Sequence, residues 1–255
     1  MKVVSWNVNS LRVRLPQVLQ LIQQSGPDVI ALQETKLQNQ DFPRDELESA
    51  GYRLVFNGQR TYNGVALMSR TEPADIITDI PGLDDPQRRL AGATINDIRF
   101  LNVYVPNGQA LDSDKYQYKL RWLEAFTDML AGEIAAHSKL VVMGDFNIAP
   151  EDQDVYDPNA WRGQVLVSDA ERQALQKIMA LGLQDTFRLF PQEDNRYSWW
   201  DYRAGAFPRN RGLRIDLMLA SPEMAELCQA ADIDLESRSH DRPSDHALIS
   251  ADFRV

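Results

Sequence analysis

The sequence predicts an α/β fold in which strands and amphipathic helices form separate layers. Strand-like apolar runs alternate with helical patterns along the chain, and several runs adjoin each other. Both hairpins and crossover connections are therefore expected. Neither a low-complexity linker nor a short repeat interrupts the 255 residues. We therefore expect a single domain over residues 1–255.

The strands are predicted from short runs rich in Val, Ile, Leu and aromatic residues. The run that begins at Leu140 is almost wholly apolar and is typical of a strand buried on both faces. The predicted strands cover residues 2–7, 29–33, 52–56, 64–69, 91–95, 98–105, 140–143, 213–220 and 247–253.

Helical spacing of apolar residues predicts the helices between these strands. Residues 15–22 share one apolar face that ends before Gly26-Pro27, and residues 120–134 form a longer helix. Residues 168–171 read SDAE, which is the pattern of a capping box. Ser221-Pro222 is typical of the start of a further short helix.

The composition excludes several classes of protein. Hydrophobic residues make up 44% and charged residues 25% of the chain, as in an ordinary globular protein. No apolar run approaches the roughly 20 residues that cross a membrane, and the N-terminus lacks the pattern of a signal peptide. Cys228 is the only cysteine, which excludes an internal disulfide framework and a thiolate zinc site. We expect a cytoplasmic protein with no membrane partner.

The net charge of −10 would by itself count against a nucleic-acid partner. That charge is an average over the whole chain, however. Carboxylates gathered at a metal site carry charge that the cation neutralises, and a basic patch can coexist with acidic surface elsewhere. DNA therefore remains a possible partner.

Two polar side chains follow the apolar run at residues 140–143. Asp145 and Asn147 are two residues apart, so a continuing strand would project them to the same side. A carboxylate buried there is costly unless it is paired, coordinated or used in a reaction. A solvated turn explains the pair equally well, because Asp and Asn favour turns and Gly144 and Pro150 flank them.

The same pattern recurs at other predicted strand ends, where rigid folds present reactive groups. Oxygen-rich donors of this kind suit Mg²⁺, with Mn²⁺ as a substitute, rather than zinc. A His and an Asp that could hold the imidazole in place are also present. Together with the oxygen donors, they predict attack of water on a phosphate ester. Neither a Walker-type phosphate loop nor a Gly-x-Ser-x-Gly elbow is present. The residues concerned are Asn7, Glu34, Tyr104, Asp145, Asn147, Asp216, Asp245 and His246.

Six segments together resemble the exonuclease III family of apurinic/apyrimidinic endonucleases, within the endonuclease/exonuclease/phosphatase superfamily. Any one segment is a weak signal, but all six occur in order and span nearly the whole chain. The resemblance implies a four-layer α/β sandwich, with two packed mixed β-sheets flanked by helices. The segments are SWNVN at 5–9, LQETK at 32–36, NVYVPNG at 102–108, GDFNIAP at 144–150, RGLRID at 211–216 and SDH at 244–246.

Carried over position by position, the resemblance implies a set of metal ligands. Glu34 would be the principal Mg²⁺ ligand, assisted by Asn7 and Asp245. Structural interpretations stand beside these roles, because Asn7 could cap a turn and Glu34 could pair with Lys36.

The resemblance also implies the catalytic groups. Asp145 would position or deprotonate the attacking water, and Asn147 would steady the phosphate oxygens. His246, oriented by Asp216, would contact the scissile phosphate as a base or as a cationic clamp, and both options stay open. Tyr104 would hydrogen-bond the phosphate or the leaving oxygen, although a tyrosine at a strand end is often only an interface residue.

Residues 188–214 interleave basic and aromatic side chains, a pattern in which cations contact phosphates and rings stack on bases. Trp199 and Trp200 would project to opposite faces of a strand, so one of them is expected in the core. The resemblance implies a pocket here for an abasic sugar or a terminal nucleotide of duplex DNA, with Trp199 as its wall. The DNA-binding candidates in this segment are Trp199, Arg203, Arg209 and Arg211.

Leu166 stands where, by this resemblance, active abasic endonucleases carry a small residue. A bulky side chain there would hinder a continuous DNA backbone on the 5′ side of a lesion and spare a 3′ terminus. We therefore expect Leu166 to contact DNA. We also expect 3′-end processing, as 3′–5′ exonuclease and 3′-phosphatase, to outrank abasic-site incision in a monomer acting on duplex DNA with damaged or free 3′ ends.

Two other functions remain open from the sequence. Another hydrolase of the superfamily, acting on phosphoinositides or sphingomyelin, would share the acids but not the segment of basic and aromatic residues. A catalytically silent nucleic-acid-binding regulator would keep the fold and lose the acids, which are all present here.

Overall fold

The computed structural model describes residues 1–255, and along them some strands are joined directly and others through helices, as predicted. The helices are α1 (Leu11–Ser25), α2 (Arg44–Ser49), α3 (Asp114–Ala136), α4 (Pro158–Trp161), α5 (Asp169–Met179) and α6 (Pro222–Leu227). The strands are β1 (Lys2–Asn7), β2 (Val29–Gln33), β3 (Arg53–Asn57), β4 (Val65–Ser69), β5 (Ala74–Ile77), β6 (Leu90–Ile95), β7 (Ile98–Tyr104), β8 (Leu140–Asp145), β9 (Gln184–Asp185), β10 (Asp216–Ala220), β11 (Cys228–Asp234) and β12 (Leu248–Phe253).

Two six-stranded mixed sheets make up the centre of the molecule, in the orders β11-β12-β1-β2-β4-β3 and β5-β6-β7-β8-β10-β9. Each sheet contains one parallel pair, β1 with β2 and β7 with β8, and its other pairs are antiparallel. A parallel pair needs a crossover connection, which α1 supplies in the first sheet and α3 in the second.

Three apolar clusters separate the layers. The largest lies between the sheets and joins residues such as Val29 and Leu67 of the first to Phe100 and Met143 of the second. A second cluster packs the outer face of the second sheet against α3 and α5, and a third packs the first sheet against α1 and α2. The result is the four-layer sandwich with helices outside and sheets inside.

Local signals account for the helix boundaries. Ser168 Oγ accepts a hydrogen bond from Glu171 N, and the Glu171 carboxylate accepts one from Ser168 N, so the predicted capping box is confirmed. Helix α1 ends at Gly26, which adopts φ +51°. No helix of the structure combines the length and apolarity needed to cross a bilayer.

Strand β8 is longer than the sequence predicted and continues through Gly144 to Asp145. Gly144 has φ +146°, and a Cβ there would lie 1.9 Å from the carbonyl oxygen of Val103. Only glycine allows this close approach of β7 and β8. Asp145 and Asn147 are 1% and 4% exposed, so the solvated-turn interpretation is wrong.

Three strands were not predicted from the sequence, and each of them lies at the edge of a sheet. Strands β5 and β11 are largely exposed and lack an apolar run, and β9 has only two residues. Strand β10 begins at Asp216 rather than at residue 213. The residues before it are buried but make only isolated bridges, such as Leu213 with Val155 and Trp199.

Candidate active site

The topology brings the predicted residues to one edge of the sandwich. Parallel strands end side by side, so Asn7 at the end of β1 lies near Glu34 just after β2. In the second sheet, Tyr104 and Asp145 end β7 and β8 and are register partners. Strands that run antiparallel to these pairs start at the same edge. Asp216 therefore faces Asp145 across β10 and β8, and His246 precedes β12.

Glu34 lies at the centre of this edge. Its backbone turns away from the strand at φ +51°, and its Oε1 accepts hydrogen bonds from Asn7 Nδ2 at 2.9 Å and Tyr104 Oη at 3.0 Å. Lys36 Nζ lies 2.8 Å from the other carboxylate oxygen, so the structural ion pair is present. Burial alone would raise the pKa of Glu34, but the Lys36 charge and these contacts outweigh it and lower the pKa below its usual value.

Asp145 is the most deeply buried acid of the site. Its Oδ1 accepts a hydrogen bond from the backbone N–H of Asn147 at 2.8 Å, and its Oδ2 accepts one from Asn7 Nδ2 at 2.9 Å. Burial raises the pKa of Asp145 to about 7, although the charge of His246 opposes that rise. A carboxylate with this pKa can accept a proton from water near neutral pH.

His246 and Asp216 form a buried pair. The Nδ1 of His246 lies 2.9 Å from Asp216 Oδ2, which also accepts a hydrogen bond from Ser198 Oγ at 2.7 Å. Burial would lower the pKa of His246, but the charges of Asp216 and Asp145 raise it to about 10. The imidazole is therefore cationic at neutral pH. Its Nε2 lies 3.7 Å from Asp145 Oδ2, close enough to share one bound group.

Tyr104 supplies a phenol that stays protonated. Burial and the neighbouring charges of Glu34 and Asp145 raise its pKa well above the usual value. The guanidinium of Arg89 lies 4.7 Å from the ring centroid and bonds to the Tyr104 carbonyl, which fixes the ring. The hydroxyl is therefore a donor aimed at the centre of the site.

Asn147 does not extend the strand as the sequence suggested. It is the second residue after β8 and has a φ of +50°. Its Nδ2 donates to the Val105 carbonyl at 3.0 Å. Its Oδ1 accepts a hydrogen bond from Asn107 Nδ2 at 3.0 Å. The alternation argument therefore does not hold beyond Asp145, and a left-handed turn determines where the amide lies.

The predicted metal ligands are not equivalent in the structure. Ligand atoms of Glu34, Asp145 and His246 lie within 4.8 Å of one another, and Asp245 lies outside this cluster. Asp245 instead accepts hydrogen bonds from Trp199 Nε1 at 3.1 Å and Asn9 Nδ2 at 2.9 Å.

Asn7 turns its amide nitrogen toward the two carboxylates, and its Oδ1 accepts a hydrogen bond from Asn9 N at 3.0 Å. As oriented, it is a donor that bridges Glu34 and Asp145 rather than a ligand. The cationic imidazole is also unsuited to ligation. The remaining donors are carboxylate oxygens, which fit a hard divalent cation with Glu34 as first ligand.

Two adjacent tryptophans divide between core and site. Trp200 is fully buried and packs edge-on against Phe207, whereas Trp199 is half-buried and holds Asp245. This division agrees with the prediction that one of them belongs to the core.

The basic residues of the same segment also divide into two sets. Arg188 and Arg214 bond to Asp154, and Arg196 bonds to Asp232, so these three stabilise the fold. The other three are exposed and form no ion pair, which leaves them available to an anionic partner: Arg203, Arg209 and Arg211.

Leu166 is placed differently from the expectation. Its side chain is only 4% exposed and belongs to a small apolar cluster with Leu213 and Ile215, on which Trp199 packs. Its side chain is therefore buried in the apolar cluster against which Trp199 packs, and is not exposed for direct contact with a ligand. Its backbone has φ +77°, a conformation that favours glycine.

Several residues of the site were not assigned roles from the sequence. Asn9, Asn107 and Ser198 all hydrogen-bond to the predicted residues. The first two lie within the quoted motifs, at polar positions after a strand, which was the available signal. Ser198 gave no signal, because its role depends on the chain folding back beside Asp216.

Comparisons with known proteins agree with this fold. The profile of the Endonuclease/Exonuclease/phosphatase family matches residues 4–246. Exodeoxyribonuclease III of Haemophilus influenzae is 36% identical over 267 residues that cover 100% of both chains. The solved structure of the 3′ phosphatase NExo from Neisseria, bound to a product DNA hairpin, is 48% identical over 100% of both chains, with a TM-score of 0.98. An AP endonuclease from Archaeoglobus fulgidus is 38% identical over 100% of both chains, with a TM-score of 0.96.

Proposed function

The chain belongs to the endonuclease/exonuclease/phosphatase family, and from that premise we propose that it is a Mg²⁺-dependent repair nuclease acting mainly at the 3′ ends of duplex DNA. It is a nuclease that hydrolyses phosphodiester bonds. One observation carries the finer proposal. Asp145, with a pKa of about 7, lies 3.7 Å from the cationic His246 where both sheets end.

The attacking water is activated by Asp145 in this proposal. Its ionised carboxylate takes a proton as the water oxygen bonds to phosphorus. Asn7 and the backbone N–H of Asn147 hold the carboxylate oxygens still, so the base is oriented before substrate arrives.

The charge that develops on the phosphate is stabilised by donors already in place. The His246 imidazolium, held by Asp216, acts as a cationic clamp on a phosphate oxygen. Asn147 offers the same group its second amide N–H, the one that does not bond to Val105. Because its pKa is about 10, His246 would serve poorly as the base, and this favours the clamp over the alternative role.

The bond that breaks is the one between phosphorus and O3′, both when a terminal nucleotide and when a terminal phosphate is removed. The leaving oxygen needs a proton or a hydrogen-bond donor. Tyr104 keeps its phenolic proton and lies within reach of Glu34 at the same edge. A Mg²⁺ ion held by Glu34, with Asp245 and an inverted Asn7 amide as further candidates, would polarise the phosphate. Mn²⁺ has the same ligand preference and is expected to substitute.

Duplex DNA would be bound by the exposed arginines and by Trp199. Arg203, Arg209 and Arg211 have no carboxylate partner, so they can pair with backbone phosphates despite the chain's net charge of −10. The half-buried Trp199 borders Asp245 and would form one wall of the pocket for the terminal residue.

The preference for 3′ ends rests on Leu166. As part of the apolar cluster against which Trp199 packs, its side chain would act through Trp199 to limit the room for a continuous backbone, whereas a free 3′ terminus needs less room. We propose that 3′–5′ exonuclease and 3′-phosphatase activities exceed incision at abasic sites. The relative from Neisseria is a 3′ phosphatase, which supports activity at 3′ ends.

We further propose that residues 1–255 act as one domain, because the site draws on side chains from Asn7 to His246. A cytoplasmic monomer is the form that we expect, and no membrane partner is required by the mechanism.

The experiment is direct. The protein is incubated with Mg²⁺ and end-labelled duplexes that carry a normal 3′ end, a 3′-phosphate or an internal abasic-site analogue. Cleavage that is fastest at the 3′-phosphate and the normal 3′ end, and lost in Asp145→Asn, supports the proposal. Undiminished cleavage by Asp145→Asn would refute the mechanism. Hydrolysis of a phosphoinositide or sphingomyelin headgroup without cleavage of DNA would establish the alternative hydrolase, and binding without any cleavage would establish a silent regulator.

A further inference from the structure

Lys119 is a fully buried lysine on α3 that lies behind the site. Its ammonium donates to the main-chain oxygen of Asn147 at 2.7 Å and to that of Asn107 at 3.2 Å. Its third N–H donates to Glu171 Oε1 at 2.5 Å, so every N–H of the ammonium is hydrogen-bonded. Glu171 is also fully buried, which makes this an ion pair shielded from water.

The two main-chain oxygens have no other hydrogen-bond donor. Both belong to loops that leave strands β7 and β8, where no neighbouring strand can supply an N–H. A buried carbonyl without a partner is unfavourable, and Asn147 is only 4% exposed, so an apolar residue at position 119 would leave the Asn147 carbonyl unsatisfied.

Those same two residues hold each other through their side chains. Asn107 Nδ2 donates to Asn147 Oδ1 at 3.0 Å, and Asn147 Nδ2 donates to the Val105 carbonyl at 3.0 Å. Lys119 therefore fixes the backbones whose side chains define the orientation of the Asn147 amide.

We propose that Lys119 is a positioning residue for DNA cleavage, because it clamps the main chains of Asn107 and Asn147 and so aims the Asn147 amide at the scissile phosphate. This inference rests on the proposed function of Asn147. Glu171 completes the clamp by accepting hydrogen bonds from Leu166 N at 3.0 Å and Ser168 N at 3.1 Å, which ties the turn at Leu166 to the same ion pair.

A double-mutant cycle tests whether Lys119 acts through Asn147. Lys119→Met is made alone and in an Asn147→Ala background, and kcat and KM are measured at steady state with an excess of a 3′-phosphate duplex. We expect Lys119→Met alone to lower kcat roughly tenfold with KM changed less than about twofold, and to cost less than about twofold further in the Asn147→Ala background.

A matched control separates this effect from general destabilisation. Leu130→Ala removes a buried side chain from the same helix, far from both asparagines, and should leave kcat near the wild-type value. If the buried Glu171 charge prevents Lys119→Met from folding, Lys119→Met with Glu171→Gln removes both charges and is measured instead. Equal losses of kcat with and without Asn147, or a loss no larger than that in Leu130→Ala, would overturn the proposal.

A spectroscopic readout does not depend on turnover. In protein labelled with ¹⁵N-asparagine, the side-chain NH₂ signal that is missing from Asn147→Ala identifies Asn147. That signal should shift in Lys119→Met and stay in place in Leu130→Ala. An unshifted signal contradicts the clamp even if the wild type cleaves DNA, whereas a shifted signal in a protein that cleaves no DNA would locate the failure in the proposed function.

Discussion

Asp216 Oδ2 lies 2.9 Å from His246 Nδ1, although the two residues are 30 positions apart, with Asp216 starting β10 of one sheet and His246 preceding β12 of the other. The contact crosses the sandwich where β10 and β12 begin side by side. It keeps the imidazole cationic, and it turns Nε2 toward Asp145.

Removing the charge of Asp216 should therefore change the pH profile. Asp216→Asn keeps the shape but withdraws the charge that raises the pKa of His246, so the cation should be lost at lower pH. We expect kcat to fall about 10²-fold at neutral pH. The loss of activity at alkaline pH, expected near pH 10 in the wild type, should occur at a lower pH in the variant. Ser198→Ala is the milder control, because it removes the hydroxyl that donates to Asp216 Oδ2 and accepts from the backbone N–H groups of Ile215 and Asp216, but keeps the Asp216 charge. An unmoved alkaline limb in Asp216→Asn would contradict the clamp.

Acid should inactivate the enzyme through Asp145. Its pKa is raised to about 7, so the carboxylate is protonated and unable to accept a proton below that pH. We expect kcat/KM to rise tenfold per pH unit below about pH 7 and then level. A cation beside Asp145 favours the ionised form, so the acidic limb should move to lower pH as Mg²⁺ is raised. Titration of the rate at two Mg²⁺ concentrations checks this, and a limb that stays fixed argues against a metal next to Asp145.

Metal affinity should respond in opposite directions to two neighbouring changes. Glu34→Gln removes the first ligand and should weaken Mg²⁺ binding by about 10- to 100-fold. Lys36→Met removes a cation 2.8 Å from the same carboxylate, so it should tighten Mg²⁺ binding. Calorimetric titration of the free protein with MgCl₂ measures both without substrate. Weaker binding in Lys36→Met would mean that the ion pair supports the ligand instead of competing with the metal.

Leu166→Gly should alter the ratio of activities. Glycine relieves the φ of +77° but leaves a cavity beneath Trp199, so we expect a net loss of about 2 kcal/mol in the free energy of unfolding. Without the Leu166 side chain in the cluster against which Trp199 packs, incision at an abasic-site analogue should rise relative to 3′-phosphate release. Both rates are measured on matched duplexes. An unchanged ratio would exclude Leu166 as a determinant of the preference, whatever happens to stability.

DNA affinity should depend on the unpaired arginines. Arg211→Ala should weaken binding to DNA of any sequence. It should also make the negative slope of log K against log salt less steep by about 0.9. Arg196→Ala is the matched control, since its guanidinium already bonds to Asp232. Fluorescence anisotropy with a labelled duplex at several salt concentrations gives both slopes. Equal slopes for the two variants would mean that Arg211 does not contact a DNA phosphate.

The sequence by itself determined which residues meet at the site. An apolar run followed by an acid or amide marks a strand end, where rigid folds present reactive groups, so the recurring pattern and the family resemblance grouped Asn7, Glu34, Tyr104 and Asp145 without coordinates. The four-layer sandwich followed from the order of the motifs, because resemblance in six segments carries the topology with it.

The tertiary structure alone decided how those residues face one another. A strand pattern cannot show that Asn147 leaves β8 in a left-handed turn, that Asn7 presents its nitrogen, or that Asp245 bonds to Trp199. Nor could it show Leu166 inside the protein or Lys119 behind the site. Backbone turns and hydrogen bonds between distant segments fix these orientations, and both arise only once the two sheets have packed.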